Sequence, residues 1–238
     1  MSNDTFEFKK FKIKQDKCAM RVSTDAVLLG AWVIPNGSAT ILDIGTGTGV
    51  IALMLAQKSN ARITAIDIDK ESTEQARVNV AESIFNDKVN VIHQSFQELV
   101  KSSSDKFNLI VTNPPYFIDS YKNANDLKAS ARHTDLLSFE DLVGGVKKLL
   151  DEKGKFCLIL PTNEARIFRE LAQSKGLYLS KLLRIRTRFE KDSEKRHLMQ
   201  FEFKESEFSE STLVIEKDSH RNYTEEYREL TRDYYLKF

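Results

Sequence analysis

The sequence predicts an α/β protein with a mostly parallel, seven-stranded sheet, helices on both faces and a C-terminal antiparallel hairpin. Three observations support this fold class. Short apolar runs alternate with helical patterns from about residue 39, a glycine-rich segment follows the first run, and the last two runs have no helix between them. Strands that alternate with helices indicate βαβ units, whose parallel strands are covered on both faces. A chain of 238 residues is long enough for one such domain.

The individual elements follow from the length and spacing of the apolar residues. Short apolar runs predict strands at residues 40–44, 62–67, 89–94, 107–112 and 155–161. Helical spacing predicts helices at residues 50–58, 70–83, 138–150 and 163–175. Residues 177–187 and 196–204 form the predicted hairpin, which we expect at the edge of the sheet. In the tail, Tyr223, Tyr227, Leu230 and Tyr234 recur at helical spacing and predict a final amphipathic helix.

Composition and domain organisation narrow the class of protein. We expect an N-terminal extension, residues 1–35, before a single domain at residues 36–238. Apolar residues make up 41% and charged residues 30%, and the net charge is +1, so composition alone does not indicate a nucleic-acid-binding protein. The longest apolar stretch, residues 26–34, is too short to span a bilayer, and no signal peptide opens the chain. We therefore expect a cytoplasmic monomer that does not bind a membrane.

The metal-ligating residue types are few and scattered. Cys18 and Cys157 form no CxxC motif, and the four histidines have no metal-ligand spacing relative to them. The sequence therefore predicts no metal site.

The segment "LDIGTGTGV" points to a cofactor site. Gly45, Gly47 and Gly49 follow a predicted strand and precede a helix, where ligands bind in open α/β sheets. A dinucleotide fingerprint, GxGxxG, needs a glycine where this chain has Val50, which disfavours an NAD-dependent oxidoreductase. Asp43 would repel a pyrophosphate but suits a ligand with cationic ammonium and sulfonium groups. S-adenosylmethionine (SAM) is such a ligand.

Two further segments extend this prediction along the sheet edge. Asp67 ends the second predicted strand, about 20 residues past the loop, the spacing at which a carboxylate reaches ribose hydroxyls. Asp69 is an alternative for the same role, and we favour Asp67 because it lies at the strand end. After the third strand, Ser95 and Phe96 are expected near the adenine.

The segment "NPPYF" follows the fourth predicted strand and is expected beside the glycine loop. Pro114 and Pro115 make a stiff turn, because proline has a fixed φ and no N–H. The side-chain oxygen of Asn113 and the carbonyl of Pro114 are two acceptors that suit an –NH₂ group. Tyr116 offers a flat face for an extruded base or amide. Asn-Pro and Pro-Pro are also common in turns that have only a structural role. We favour the catalytic interpretation because this segment follows a glycine loop of the SAM-binding type.

The motifs "LDIGTGTG", "AIDID" and "NPPYF" together resemble the class I, Rossmann-like SAM-dependent methyltransferases that modify exocyclic or amide nitrogens. The segments "FKIKQDKCAMRVSTDAVLLGAW", "ARH…LSFEDLV" and "YTEEYRELTRDYYLKF" look like the bacterial tRNA adenine-N6-methyltransferases, which modify adenosine 37 of a valine tRNA. The resemblance covers nearly the whole chain. It implies that this protein transfers a methyl group from SAM to the N6 amine of a tRNA adenosine, giving N6-methyladenosine.

The resemblance also implies roles for individual residues. Asn113, Pro114 and Tyr116 would bind the target amine. The implied cofactor-binding residues are Thr24, Asp43, Gly45, Thr46, Gly47, Gly49, Asp67, Ile68, Ser95 and Phe96. Thr24, in the segment "VSTD", would approach the methionine end of the cofactor. The family often has an acid near the adenine where this chain has Ser95.

Local charge suggests where tRNA binds. Basic residues concentrate in the N-terminal segment and in the late hairpin, and a polar loop follows the NPPY turn. The candidate RNA-binding residues are Lys10, Lys12, Lys14, Arg132, Arg186, Arg188, Lys195 and Arg196. Acidic residues dilute the second group, and a solvated surface of mixed charge is the alternative interpretation.

Two other functions remain open from sequence. A protein glutamine N-methyltransferase acting on a release factor would use the same NPPY chemistry and would not need the basic residues. A SAM-binding scaffold without catalysis would not need the intact Asn113 and Tyr116. The leading hypothesis is the tRNA adenine-N6-methyltransferase.

Overall fold

A mixed eight-stranded sheet with helices on both faces forms the centre of the molecule. The computed structural model describes residues 4–18, 20–35, 37–114, 137–189 and 194–237. The strands are β1 Thr5–Glu7, β2 Lys12–Lys14, β3 Thr40–Ile44, β4 Arg62–Asp67, β5 Val89–His93, β6 Phe107–Thr112, β7 Leu150–Pro161, β8 Tyr178–Arg188, β9 Glu194–Glu202 and β10 Ser209–Glu216. The helices are α1 Thr24–Trp32, α2 Val50–Lys58, α3 Lys70–Ala81, α4 Phe96–Ser102, α5 Phe139–Leu149, α6 Thr162–Ser174 and α7 Glu225–Thr231.

The order of the strands brings the carboxyl ends of three of them together. The large sheet runs β10-β8-β9-β7-β6-β3-β4-β5, and β3 to β7 are mutually parallel. Strand β9 is antiparallel to both β7 and β8, and β10 is parallel to β8. Ile44 of β3 pairs with Thr112 on one side and Ile66 on the other. The residues that follow β3, β4 and β6 therefore meet at one edge of the sheet.

The sheet separates two apolar cores. Helices α1, α2, α3 and α7 contribute buried residues to one core, while α4, α5 and α6 contribute to the other. Because βαβ connections cover both faces, the central strands are apolar on both sides: Leu109 and Val111 belong to the first core, and Ile110 belongs to the second.

The first 35 residues are packed into the main fold. The small sheet of β1 and β2 contacts the C-terminal segment, where Phe8 bridges to Tyr235. Helix α1 contributes fully buried leucines, Leu28 and Leu29, to the first core. The sequence did not reveal α1, because it is apolar almost all round and so shows little helical amphipathicity. Such a pattern is typical of a helix that is buried on most sides.

The predicted fold class is confirmed, with differences at the last strands. The large sheet has eight strands rather than seven, because β10 pairs in parallel with β8 and takes the edge position expected for the hairpin. Its first four residues, "SEST", are exposed, which hid the strand from a search for apolar alternation. The β8–β9 hairpin forms as predicted, and the final helix α7 forms but is shorter than expected, because Tyr223 and Tyr234 lie outside it. Helix α4 was not predicted.

No helix in the described ranges is long and apolar enough to cross a membrane. No group of three or more His, Cys, Asp or Glu side chains in the same ranges is arranged to hold a metal ion.

Candidate active site

A cavity of about 270 Å³ opens at the carboxyl ends of β3, β4 and β6. Six parts of the chain form its wall: the glycine loop after β3, residues 66–69 at the end of β4 with Ser72, residues 94–97 after β5, residues 112–114 after β6, Leu137 before α5, and part of the N-terminal segment. This is the position in which open α/β sheets bind ligands. The first part of the glycine loop, residues 45–48, and the first two residues of the "NPPYF" segment, Asn113 and Pro114, therefore face the same space.

Two glycines give the loop after β3 its backbone conformation and leave space beside it. Gly45 has φ +69° and Gly47 has φ +54°, a backbone region that favours glycine. A Cβ atom added at either position would meet no atom within 4 Å, so both glycines leave open space at the cavity wall. The amides of Gly45 and Thr46 both donate to the carbonyl of Ile66 at 2.9 Å, which ties the loop to β4.

Gly49 has a different surrounding from the other two glycines. It precedes α2 and is not part of the cavity wall, and a Cβ atom there would lie 3.4 Å from the Cβ atom of Ala76 on α3. Gly49 therefore allows helix α3 to pack closely, and a direct contact with a cofactor stays a prediction.

Asp43 lies beneath the glycine loop and is fully buried. The Thr46 hydroxyl donates to its Oδ2 at 2.7 Å, while Oδ1 has no hydrogen-bond partner among the described residues. Burial raises the pKa of the Asp43 carboxyl to about 7, against the opposing effect of the Thr46 hydrogen bond. The carboxyl is not on the cavity surface, so the expected contact with a cationic ligand stays a prediction.

Asp67 holds the loop from the end of β4. Its Oδ2 accepts from the amide of Gly47 at 2.7 Å, and its Oδ1 accepts from the amide of Asp69 at 2.9 Å. Burial raises its pKa, and these backbone hydrogen bonds oppose the rise. Asp69 also lies on the wall, but its carboxylate caps α3 by accepting from the amide of Ser72 at 2.7 Å. The pKa of Asp69 is lowered, chiefly by hydrogen bonding with Ser72.

The wall beyond Asp67 is more apolar. Ile68 lies on it with half of its surface exposed, and Nε2 of His93 donates to the Ile68 carbonyl at 2.9 Å. Ser95 caps α4 in a reciprocal capping box with Glu98, and Phe96 is 4% exposed because its ring packs into the second core. Ser95 and Phe96 both line the cavity, and their position beside the adenine stays a prediction.

Asn113 and Pro114 stand opposite the glycine loop. Thr112, the last residue of β6, pairs with Ile44 and donates its hydroxyl to the Ile44 carbonyl at 2.9 Å. The next residue, Asn113, is half-buried on the cavity wall, and Pro114 is buried beside it. Tyr116, the third predicted catalytic residue, lies outside the described residues, as does Arg132.

The N-terminal segment supplies wall residues that sequence reasoning missed. Met20, Arg21, Ser23 and Ala26 line the cavity, whereas the predicted Thr24 is exposed and does not. Ser23 caps α1 by accepting from the amide of Ala26, and these two residues face the cavity, so Thr24 at the first helical position points elsewhere. The only sequence signal for these wall residues was the apolar run that follows the segment "CAMRVS". That run did not show the spacing of an amphipathic helix, so α1 was not predicted.

The candidate RNA-binding lysines of the N-terminal segment lie away from the cavity. Lys12 pairs with Glu7 at 2.7 Å, and Lys14 pairs with Glu82 just after α3. The backbone of Lys14 is joined through Asn79 to Thr48 of the cavity wall, but its side chain is held by Glu82 at the far end of α3. Lys10 is exposed in the turn between β1 and β2, in the same hairpin. None of the three lysines is therefore among the residues that line the cavity.

The candidate RNA-binding residues of the late hairpin lie at the same sheet edge as the cavity. Arg188 pairs with Glu216 at 3.0 Å, and Arg196 pairs with Asp25 at 2.7 Å. Arg186 donates to the carbonyl of Phe189, and Lys195 lines a polar groove with Arg166 at the end of β7. Ion pairing reduces the positive charge that this group can offer to phosphates.

Comparison with known proteins gives a consistent picture. A family model described as "Methyltransferase domain" matches residues 35–217. A Bacteroides fragilis protein named tRNA1(Val) (adenine(37)-N6)-methyltransferase is 44% identical over the full length of both chains. A protein of the same name from Trichodesmium erythraeum is 43% identical, again over the full length of both.

Solved structures share the fold. A predicted O-methyltransferase from Agrobacterium tumefaciens superposes with a TM-score of 0.70 at 18% identity, covering 88% of this chain and 96% of that one. A 16S rRNA N2 methyltransferase from T. thermophilus, in complex with AdoMet and guanosine, has a TM-score of 0.55 at 17% identity, covering 84% of this chain and 50% of that one. At these identities the likeness concerns the fold alone.

Proposed function

This chain belongs to the family of tRNA1(Val) (adenine(37)-N6)-methyltransferases, and on that premise we propose how its cavity binds SAM and the N6 amine of a tRNA adenosine. It is an enzyme, a SAM-dependent methyltransferase whose relatives are named for N6 methylation of tRNA. One observation carries the residue assignment: the pairing of Ile44 with Thr112 puts Asn113 opposite the glycine loop across one cavity. A tRNA substrate implies that the enzyme acts in the cytoplasm.

The residues present fit SAM. Gly45 and Gly47 leave open space in which a ligand can approach the backbone, and Asp67 presents carboxylate oxygens beside that space. Each Asp67 oxygen accepts one backbone hydrogen bond and has a second lone pair for a ribose hydroxyl. Asp43 is buried behind the loop and does not line the cavity, so in this proposal it supports the loop through the Thr46 hydroxyl. Ile68, Ser95 and Phe96 would surround the adenine. Thr46 would contact the cofactor from the glycine loop.

The catalytic turn would hold the nucleophile. When bound, SAM supplies an electrophilic methyl group on a sulfonium. Asn113 Oδ1 and the Pro114 carbonyl would accept the two hydrogens of the adenosine N6 amine and aim its lone pair at that methyl group. Tyr116 would stack on the extruded base. No strong general base is required, because N6 gives up its proton to water after the methyl group has arrived.

Positively charged groups near the cavity would contact the tRNA backbone. Arg186 and Lys195 lie at the carboxyl edge and are the best placed of the candidate residues. Lys10, Lys12 and Lys14 lie on the remote hairpin and are poorly placed for phosphates next to the target base. Arg188 and Arg196 would have to exchange their carboxylate partners for phosphates.

The experiment that tests this function is methyl transfer from labelled SAM to purified total tRNA. A release-factor protein serves as the parallel substrate, and the Asn113→Ala variant serves as the catalytic control. We expect labelled N6-methyladenosine in digested tRNA with the natural enzyme and about a hundredfold less with the variant.

The other outcomes point to the alternative functions. Label in the release factor alone would refute the RNA assignment and keep the amide-methylation chemistry. Binding of SAM without transfer to either substrate would favour the scaffold hypothesis.

A further inference from the structure

Phe189 is the most exposed aromatic side chain that the structure describes. It is 58% exposed, and the only other exposed phenylalanine in the described ranges is Phe208, at 43%. A single exposed apolar side chain is ordinary on a protein surface. The position and the surroundings of Phe189 therefore decide whether it has a role.

Phe189 follows the last residue of β8, in a hairpin that projects past the cavity. In the register of the sheet, Leu182 of β8 is level with Thr112 of β6. Beyond Leu182, β8 continues to Arg188, about 20 Å farther at the rise of a strand. Three strand spacings, about 14 Å, separate β8 from β6. Phe189 therefore lies to one side of the cavity and farther out than the sheet edge at which the cavity opens.

The backbone that carries Phe189 is held by the neighbouring arginines. Nη2 of Arg186 donates to the carbonyl of Phe189 at 2.9 Å, and Nε of Arg188 donates to Oε2 of the buried Glu216 at 3.0 Å. These contacts join the end of β8 to its own turn and to β10. A ring on a backbone that is already ordered loses little conformational entropy when a ligand covers it.

Positive charge accompanies Phe189 at this end of the hairpin. Four cationic side chains lie near the ends of the paired strands β8 and β9: Arg186, Arg188, Lys195 and Arg196. Glu194, at the start of β9, is engaged by Arg184 and His197. An exposed ring among cations is typical of surfaces that bind single-stranded nucleic acid, because the cations contact phosphates and the ring stacks on a base. The charge favours RNA over an apolar protein partner.

We propose that Phe189 stacks on an unpaired base of the tRNA, in the same single-stranded segment as the target adenosine. The proposal rests on the proposed function and adds a contact with a base to the phosphate contacts considered for the hairpin. A base enters an active-site cavity only after it has left the stack, which deprives the adjoining bases of a stacking partner. The exposed ring beside the cavity supplies a new partner to one of them.

Methylation kinetics with labelled SAM and purified tRNA test the proposal on variants of the full chain. Phe189→Leu keeps an apolar side chain but removes the aromatic face, so KM for tRNA should rise about tenfold. Both kcat and SAM affinity should change by less than about twofold. The salt dependence of KM should keep its slope, because no phosphate contact is lost. Phe189→Trp should keep the natural KM or lower it.

The matched control is Phe208→Leu. Phe208 directly precedes β10, and because β10 is parallel to β8 it begins at the opposite edge of the sheet from the cavity. The same substitution of an exposed phenylalanine should leave KM for tRNA unchanged there. A thermal melt of each variant verifies that the chain is folded.

Phe189→Trp also gives a direct signal for stacking. The one natural tryptophan, Trp32, is only 7% exposed, so it is shielded from a ligand at the hairpin. The added indole fluorescence of Phe189→Trp should be quenched by tRNA, and that of Phe208→Trp should not change.

The outcomes separate this proposal from the proposed function. An unchanged KM in Phe189→Leu, or an equal rise in Phe208→Leu, would overturn the stacking assignment. A changed salt slope would also overturn it, because the ring would then support the arginines instead. If the natural chain does not methylate tRNA, the proposed function fails, and the fluorescence titration decides separately whether Phe189 contacts tRNA. Quenching by a release-factor protein but not by tRNA would overturn the choice of RNA as the partner.

Discussion

The amide of Gly47 donates a 2.7 Å hydrogen bond to Oδ2 of Asp67, twenty residues along the chain. The contact joins the loop after β3 to the last residue of β4, so the carboxylate that we assign to the ribose also fixes the shape of the glycine loop. Ligand binding and loop geometry thus depend on the same side chain.

Replacing Asp67 by Asn should therefore weaken SAM binding. An amide has one acceptor oxygen, so either the Gly47 or the Asp69 amide would face an –NH₂ group in place of an acceptor. We expect a loss of about tenfold or more in SAM affinity, measured by titration calorimetry. The control is Asp105→Asn, an exposed carboxylate after α4, which should not alter affinity. Unchanged affinity in the Asp67 variant would exclude Asp67 as a ligand.

Gly47→Ala should weaken SAM binding more than its effect on the free energy of unfolding would suggest. Gly47→Ala and Gly37→Ala both put alanine at a positive φ with open space around the Cβ atom. Each should lower the free energy of unfolding by about 1 kcal/mol, measured by urea denaturation. We expect only Gly47→Ala to weaken SAM binding, by about tenfold or more, because its Cβ atom enters the cavity. Equal SAM affinities in the two variants would contradict the assignment of the loop.

Asn113→Ala should separate catalysis from cofactor binding. The side chain would contact the target amine and not SAM, so kcat should fall by about a hundredfold while SAM affinity changes little. Single-turnover methylation and calorimetry measure the two effects. Asn90→Ala, an exposed position on β5, is the matched control. A variant that loses SAM binding and activity in parallel would show that Asn113 supports the cavity instead.

The raised pKa of Asp43 should make the stability of the ligand-free protein depend on pH. Its pKa is about 7 in the folded chain because of burial, above the ordinary value of 3.8. Between these values the unfolded chain loses this proton and the folded chain retains it, so the free energy of unfolding falls as pH rises and levels off above about pH 7. We expect Asp43→Asn to remove about 2 kcal/mol of the fall between pH 5 and pH 8. Urea denaturation at both pH values measures it, and identical pH profiles would refute the raised pKa.

The position of the basic residues predicts unequal effects on tRNA. Lys195→Glu, at the carboxyl edge, should raise KM for tRNA several-fold and make methylation less sensitive to salt, because fewer phosphates are neutralised. Lys12→Glu makes the same charge change on the remote hairpin and should have a much smaller effect. Methylation kinetics at two salt concentrations compare them. A larger effect from Lys12 would place the tRNA across the N-terminal hairpin.

The sequence predicted best those parts of the site that backbone conformation determines. Strands β3, β4 and β6 have the predicted bounds, because short apolar runs between turn residues have few other structures available. Strand ends meet by topology, so Asn113 and the glycine loop could be placed together from sequence.

Contacts between distant segments were not predictable in this way. Arg21 and Ser23 reach the cavity because α1 packs on α2 and its first turn is joined to β9 through Asp25 and Arg196. Neither relation leaves a local pattern. The sequence predicted a contact between Asp43 and a cationic ligand, whereas the carboxyl is fully buried behind its own loop.

Asn79 connects the N-terminal hairpin to the glycine loop. This side chain on α3 is 1% exposed, accepts from the Lys14 amide at 2.8 Å, and donates to the carbonyls of Lys14 and Thr48 at 2.9 Å. The Lys14 amide can exchange its hydrogen with solvent only when this connection opens. Its hydrogen-exchange rate therefore reports on the loop at Thr48, and a ligand that orders the loop should slow exchange at a residue it never touches.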